Sequence, residues 1–329
     1  MKFRAGQPAC NLPFLLAIPL LAYAGEVNVR PPLLGYMLDS EAGTIRAIDG
    51  VPGAAALGEA LAGVTGVRRA AIASSLTHAI AEQEGNYALV LIRWTDAVEA
   101  LPLEGTVAAS PVFVLSPQGT AAAVVVPASA ESGPRIRVIA GLPLNPRLSF
   151  EAEIISEPSS LAVSDDGSLA AICDGSTVVV RERGNERRVF EGDSPAIAFR
   201  PAGRDLAVTS AASSTVTLLT AAAVPREIGE NRLESPHALA FSGDGRRLVV
   251  AQETGSLAMI EIETGETKTI PCDCRPDGLY SLRGGALFRL MDTAKGTIAV
   301  LDADNEVPRV VTIAVFASTV SDAGTGEKQ

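Results

Sequence analysis

The sequence predicts an all-β fold, a β-propeller of four-stranded antiparallel blades, and three observations lead there. The first is the stretch Ser235 to Ile270, SPHALAFSGDGRRLVVAQETGSLAMIEIETGETKTI. Its four short apolar runs are parted by turns at Gly243-Asp244-Gly245, Glu253-Thr254-Gly255 and Thr264-Gly265-Glu266. Alternating apolar residues between such turns form strands joined by hairpins, and four strands in about forty residues make one blade. The second observation is recurrence. SPVFVLSPQG, PSSLAVSDDG, DSPAIAFRPAG and SPHALAFSGDG end on Gly119, Gly167, Gly203 and Gly245, at separations of 48, 36 and 42 residues, and the weaker PDGLYSLRGG puts Gly284 another 39 residues on. Periods near forty residues with four strands each denote a propeller array. The third is that no long amphipathic helix is evident.

In chain order, residues 1–24 carry a secretory leader pattern. Lys2 and Arg4 supply the positive region, Leu12 to Leu21 the apolar region, and Ala22-Tyr23-Ala24 a small-x-small cleavage site. The apolar run is too short and too proline-broken to span a bilayer. The expectation is export to the periplasm or beyond, with no transmembrane anchor after cleavage. Residues 25–66 read as a hairpin and a connection that close the ring. The hairpin, LLGYMLDSEAGTIRAIDG at 33–50, resembles the third and fourth strands of a blade, and the Gly- and Ala-rich residues 51–66 read as a loose connection. RRAAIASSLTHAIAEQ from Arg68 is a degraded copy of the first hairpin without its glycine. The blade region 67–316 then divides at about 67–104, 105–154, 155–192, 193–233, 234–272 and 273–316. With the N-terminal hairpin as an irregular blade the ring has seven blades; without it, six. Closure by pairing of the chain ends is expected, because an open ring exposes sheet edges. Residues 317–329 are small and polar and read as a disordered tail.

The segments SPHALAFSGDGRRLVVA and PSSLAVSDDGSLAA resemble the YVTN and lactonase-type β-propellers of bacteria, over about residues 67–316. That resemblance implies blades opening on Pro, an apolar strand, Ser-x-Asp-Gly and a β-branched strand. It implies no single activity, since the group holds sugar-lactone hydrolases, surface-layer proteins and members without known activity. No Trp-Asp dipeptide closes a blade and the one Trp is Trp94, which argues against a WD-repeat protein. The Asp-Gly turns, Asp165-Asp166-Gly167 and Gly243-Asp244-Gly245, supply hairpin chemistry and not acid/base groups.

Composition narrows the partners. A net charge of −11, with no Lys/Arg run longer than two residues, is unsuited to nucleic acid, which needs a cationic face. Aromatic residues at 4% are too few for a base-stacking surface. Gly-x-Ser-x-Gly, His-Glu-x-x-His and P-loop motifs are absent.

The candidate chemistry is sparse. Of two histidines, His78 lies among alternating apolar residues and reads as a strand residue. His237 follows Pro236 at the start of an innermost strand, at the mouth of the central channel, where an imidazole can act as base or ligand. The equivalent positions hold Val112, Ser159 and Pro195 or Ala196, so no ring of ligands is repeated around it. The connections between blades carry Glu157, Asp193, Glu234, Arg275 and Asp277, a set for a polar ligand or a cation such as calcium. Cys272-Asp273-Cys274 can close a tight disulfide, stay as thiols or exchange them, while Cys173 reads as a small core residue. These features favour an exported, monomeric, non-enzymatic scaffold for a protein or a small polar ligand. The alternatives are a lactonase-like hydrolase, with a metal or general base at the channel mouth using His237 and the carboxylates, and a contact module in an envelope assembly.

Overall fold

The computed structural model describes residues 31–314, except 96, 108–111, 131, 194, 221–224, 230–231, 291–296 and 306. The expected leader at 1–24 and tail at 317–329 lie outside them. The strands gather into seven small antiparallel sheets spanning residues 33–60, 67–102, 113–153, 160–191, 196–228, 236–271 and 280–314, here blades 1 to 7. Blades 2 to 7 each have four strands, with sheet order following chain order, and blade 1 has three. The protein is a seven-bladed β-propeller.

Packing shows that the ring is closed. Seven hydrophobic clusters each join one pair of neighbouring blades. An open row of seven blades would have six such seams. The seventh joins blade 7 to blade 1 through Leu282, Ile298, Val300 and Ile313 against Leu34, Met37 and Ile48. Both faces of a blade are buried, which explains the continuous apolar runs. In RLVVAQ, Leu248 and Val250 pack toward blade 5 while Val249 and Ala251 pack toward blade 7, because successive side chains leave a strand on opposite faces. Trp94 belongs to this packing: it meets Tyr36 edge-on at 5.0 Å across the seam of blades 1 and 2, and its indole N–H donates to the Leu76 carbonyl at 2.7 Å.

Each blade has two working ends. The first hairpin turns define one face of the ring; the connections between blades and the second turns define the other. In the first turns Gly119, Gly167 and Gly245 have φ of +77°, +65° and +68°, the left-handed region that glycine enters freely. Ser164 and Ser242 cap these turns: each hydroxyl donates to the following aspartate, Asp166 or Asp244, at 2.6 Å and accepts the amide of Leu169 or Arg247 at 3.0 Å. In blade 2, Leu76 takes the glycine position with φ +58°. In blade 5 the positive φ falls on Ala202 and not on Gly203, and in blade 7 the residue equivalent to Gly245 is Gly285, one place after Gly284.

Blade 1 corrects the reading of the N-terminal hairpin. Arg283, in the first turn of blade 7, donates to the Leu33 carbonyl at 3.4 Å, so the strand Leu33–Asp39 starts on the first-turn face. Val67 N donates to Gly43 O at 2.8 Å, as Leu233 N donates to Ser214 O at 3.1 Å in blade 5, so the turn at Gly43 is a second turn. The strand Ala54–Ala60, where a loose connection was expected, lies beside Arg309–Ala314, the outermost strand of blade 7. Leu33–Asp39, Thr44–Val51 and Ala54–Ala60 are therefore the second, third and fourth strands of their blade. Among the described residues its innermost position is unfilled, and no strand from the chain's end pairs with it.

Candidate functional site

The connection face carries the predicted site residues, and backbone hydrogen bonds fix where. Asp193 O accepts from Ala211 N at 3.0 Å, Ser235 O from Glu253 N at 3.2 Å, and Asp277 N donates to Leu290 O at 3.0 Å. Each connection is thus tied to the second turn of its own blade. Glu157, Asp193, Glu234, Arg275 and Asp277 all expose their side chains there. Being on one face follows from the repeat and is not yet chemistry. Among the described residues no group of three or more His, Cys, Asp or Glu side chains is gathered into a metal donor set.

Residues come together at the seam of blades 6 and 7. His237 Nε2 lies 3.0 Å from the Pro276 carbonyl. A carbonyl only accepts, so Nε2 carries the proton and Nδ1 holds the lone pair. Nδ1 is buried without a hydrogen-bond partner. The imidazole therefore pins the connection that carries Arg275 and Asp277. Within blade 6 itself, Gln252, 3% exposed, accepts the Glu234 amide at 2.6 Å and donates to Ser256 Oγ at 2.9 Å, tying the connection that enters the blade to its second turn. Arg289, also buried, lies 4.3 Å from the centre of the Tyr280 ring, a cation–π contact where blade 7's first two strands pair.

Gln252, Tyr280 and Arg289 were not among the residues the sequence singled out. Which polar groups these side chains meet, the Glu234 amide for Gln252 and the Tyr280 ring for Arg289, is set by strand pairing within blades 6 and 7.

The three cysteines among the described residues separate by environment. Cys272 and Cys274 form a disulfide with their Cα atoms 5.0 Å apart. Cys173 is a buried free thiol that donates to the Pro195 carbonyl at 3.2 Å, and burial pushes its pKa up to about 12. It is inert as a nucleophile at neutral pH. His78 is buried in the strand His78–Gln83, with Nε2 2.9 Å from Gly119 O and Nδ1 3.0 Å from Thr77 Oγ1, and burial lowers its pKa.

No protein-family model matches the chain, and no curated protein matches it either. Among solved structures it is similar to a protein of unknown function from Desulfotomaculum acetoxidans DSM 771, at 16% identity and a TM-score of 0.59, over 85% of this chain and 94% of that one. It also matches hydrazine synthase from Kuenenia stuttgartiensis at 17% identity and a TM-score of 0.46, over 73% of this chain and 77% of that one. The first likeness shows the fold. The likeness to YVTN and lactonase-type propellers stays with the blade motifs.

Proposed function

We propose that this propeller is an exported binding scaffold, and that its ligand or partner meets the connection face at the seam of blades 6 and 7. The observation that carries the reading is the state of His237. Its one N–H is used on the chain's own Pro276 carbonyl and its free nitrogen is buried, so the imidazole shapes the rim instead of presenting a base to solvent. The connection it holds carries Arg275 and Asp277, and the connection entering its own blade carries Glu234, all exposed, a mixed set that suits a small polar ligand or a charged protein surface. The leader pattern at residues 1–24 supports the exported location.

The test is native mass spectrometry of the periplasmically expressed mature protein with metal analysis, paired with an assay of lactone hydrolysis. The scaffold reading expects a metal-free chain without turnover. A stoichiometric cation together with hydrolysis abolished in His237→Gln would replace it with the hydrolase reading.

A further inference from the structure

Cys272 and Cys274 lie on the connection from blade 6 to blade 7, between the strand Thr267–Pro271 and the anchor at Pro276. Three features separate this disulfide from a structural staple. It closes a loop with a single residue inside, so the chain entropy that makes long-range disulfides hard to reduce is nearly absent. The connection is held on both sides without it: Pro271 pairs with Ser256, and Pro276 is held by His237. Both cysteines are partly exposed at the edge of the core between blades 6 and 7, with Asp273 and Arg275 beside them exposed. They line an open depression of about 470 Å³ together with Thr254, Gly255 and Thr312. An attacking thiolate can therefore reach the bond, and the reduced cysteines stay close enough to close again.

We propose that Cys272–Cys274 is a thiol–disulfide exchange site whose substrate class is a thiol, on a small molecule or on a protein. A donor thiolate attacks one cysteine sulfur, the bond between the two cysteines breaks, and its electron pair leaves on the other as thiolate. A second donor thiolate attacks the donor sulfur of the mixed disulfide, releasing the first cysteine. The donors end as a disulfide, the cysteines gain two electrons, and the donors' two protons end on the cysteines. This chemistry does not depend on the scaffold reading.

The experiment uses the full chain carrying Cys10→Ser, because the fourth cysteine of the sequence lies in the expected leader at residues 1–24 and its removal would otherwise alter the thiol count. Native protein is equilibrated with graded ratios of reduced to oxidised glutathione, quenched with an alkylating reagent and weighed by mass spectrometry. The expected result is a rise from no label to two labels across the series, with Cys173 taking a third only after guanidinium is added. The single variants Cys272→Ser and Cys274→Ser are expected to trap one glutathione in the oxidised buffer. The proposal is overturned if the native protein takes no label in fully reduced glutathione, takes two in fully oxidised glutathione, or if neither variant forms an adduct.

Discussion

Ala202 is held at a φ of +53°, where an L side chain crowds its own backbone, while the glycine beside it has no such duty. The left-handed region costs a non-glycine residue about 1–2 kcal/mol, against about 0.5–1 kcal/mol of extra chain entropy for glycine. Ala202→Gly should therefore stabilise by up to about 1 kcal/mol, read as a higher guanidinium midpoint, and it keeps the amide that donates to Asp165. Gly167 is the opposite case. At φ +65° a Cβ there would stand 2.8 Å from Ala140 Cβ, so Gly167→Ala should cost about 2 kcal/mol or more by the same measurement. The acid limb of stability also belongs to single residues. Burial lowers the pKa of His78 from 6.5, so its neutral form holds the fold and its contribution fades as pH falls from about 6.5 toward the lowered value. For Asp166, burial acts upward, but the hydrogen bonds from Ser164 and Ser168 prevail and the pKa falls below 3.8. Glu151 follows the same logic under Arg135 and Arg137, ending below 4.5. Their stabilisation is present above those values and is lost as pH drops through the depressed ones. Unfolding midpoints against pH should show a shallow loss beginning near 6.5, absent in His78→Gln, ahead of a carboxylate loss that the variant retains.

Among the elements, the first turns are fastened to each other as well as closed within. Asp165 in blade 4 accepts the Gln118 amide of blade 3 at 2.8 Å and the Ala202 amide of blade 5 at 2.7 Å, and its own carbonyl accepts from Thr120 at 2.6 Å. One carboxylate thus ties three neighbouring turns. Asp165→Ala should cost about 1–2 kcal/mol, with Asn recovering part of it. Hydrogen exchange should quicken in the turns at 116–119 and 200–203 as well as at 164–167. A change confined to blade 4 would show that the bridge carries no weight. The Ser-x-Asp-Gly pattern was legible as a turn, but that Asp165 reaches sideways was not, because its partners lie in other blades.

At the level of the whole molecule, stability depends on completing the circle. Deleting residues 25–66 would bare the blade 7 face carrying Leu282, Ile298 and Val300, and the blade 2 face carrying Ala79, Ala81 and Ile92. That product should form no soluble monomer on size exclusion, whereas Leu282→Ala in the full chain should fold with a loss of about 2–4 kcal/mol. The repeat spacing, the turn residues and the doubly apolar strands were set by local chemistry, so the sequence alone determined a propeller and placed its second to seventh blades close to their observed limits. It did not determine blade 1. Ala54–Ala60 has small, half-exposed side chains, and the Pro52-Gly53 turn before it was its main visible signal. The strand's role is defined by contact with blade 7, at the other end of the chain. The site divides the same way. The polar residues of the connections, and the side of the ring they face, follow from the repeat. That His237 binds Pro276 and that seven seams close on themselves were decided only by tertiary structure, because each joins residues whose distance along the chain carries no record of their distance in space.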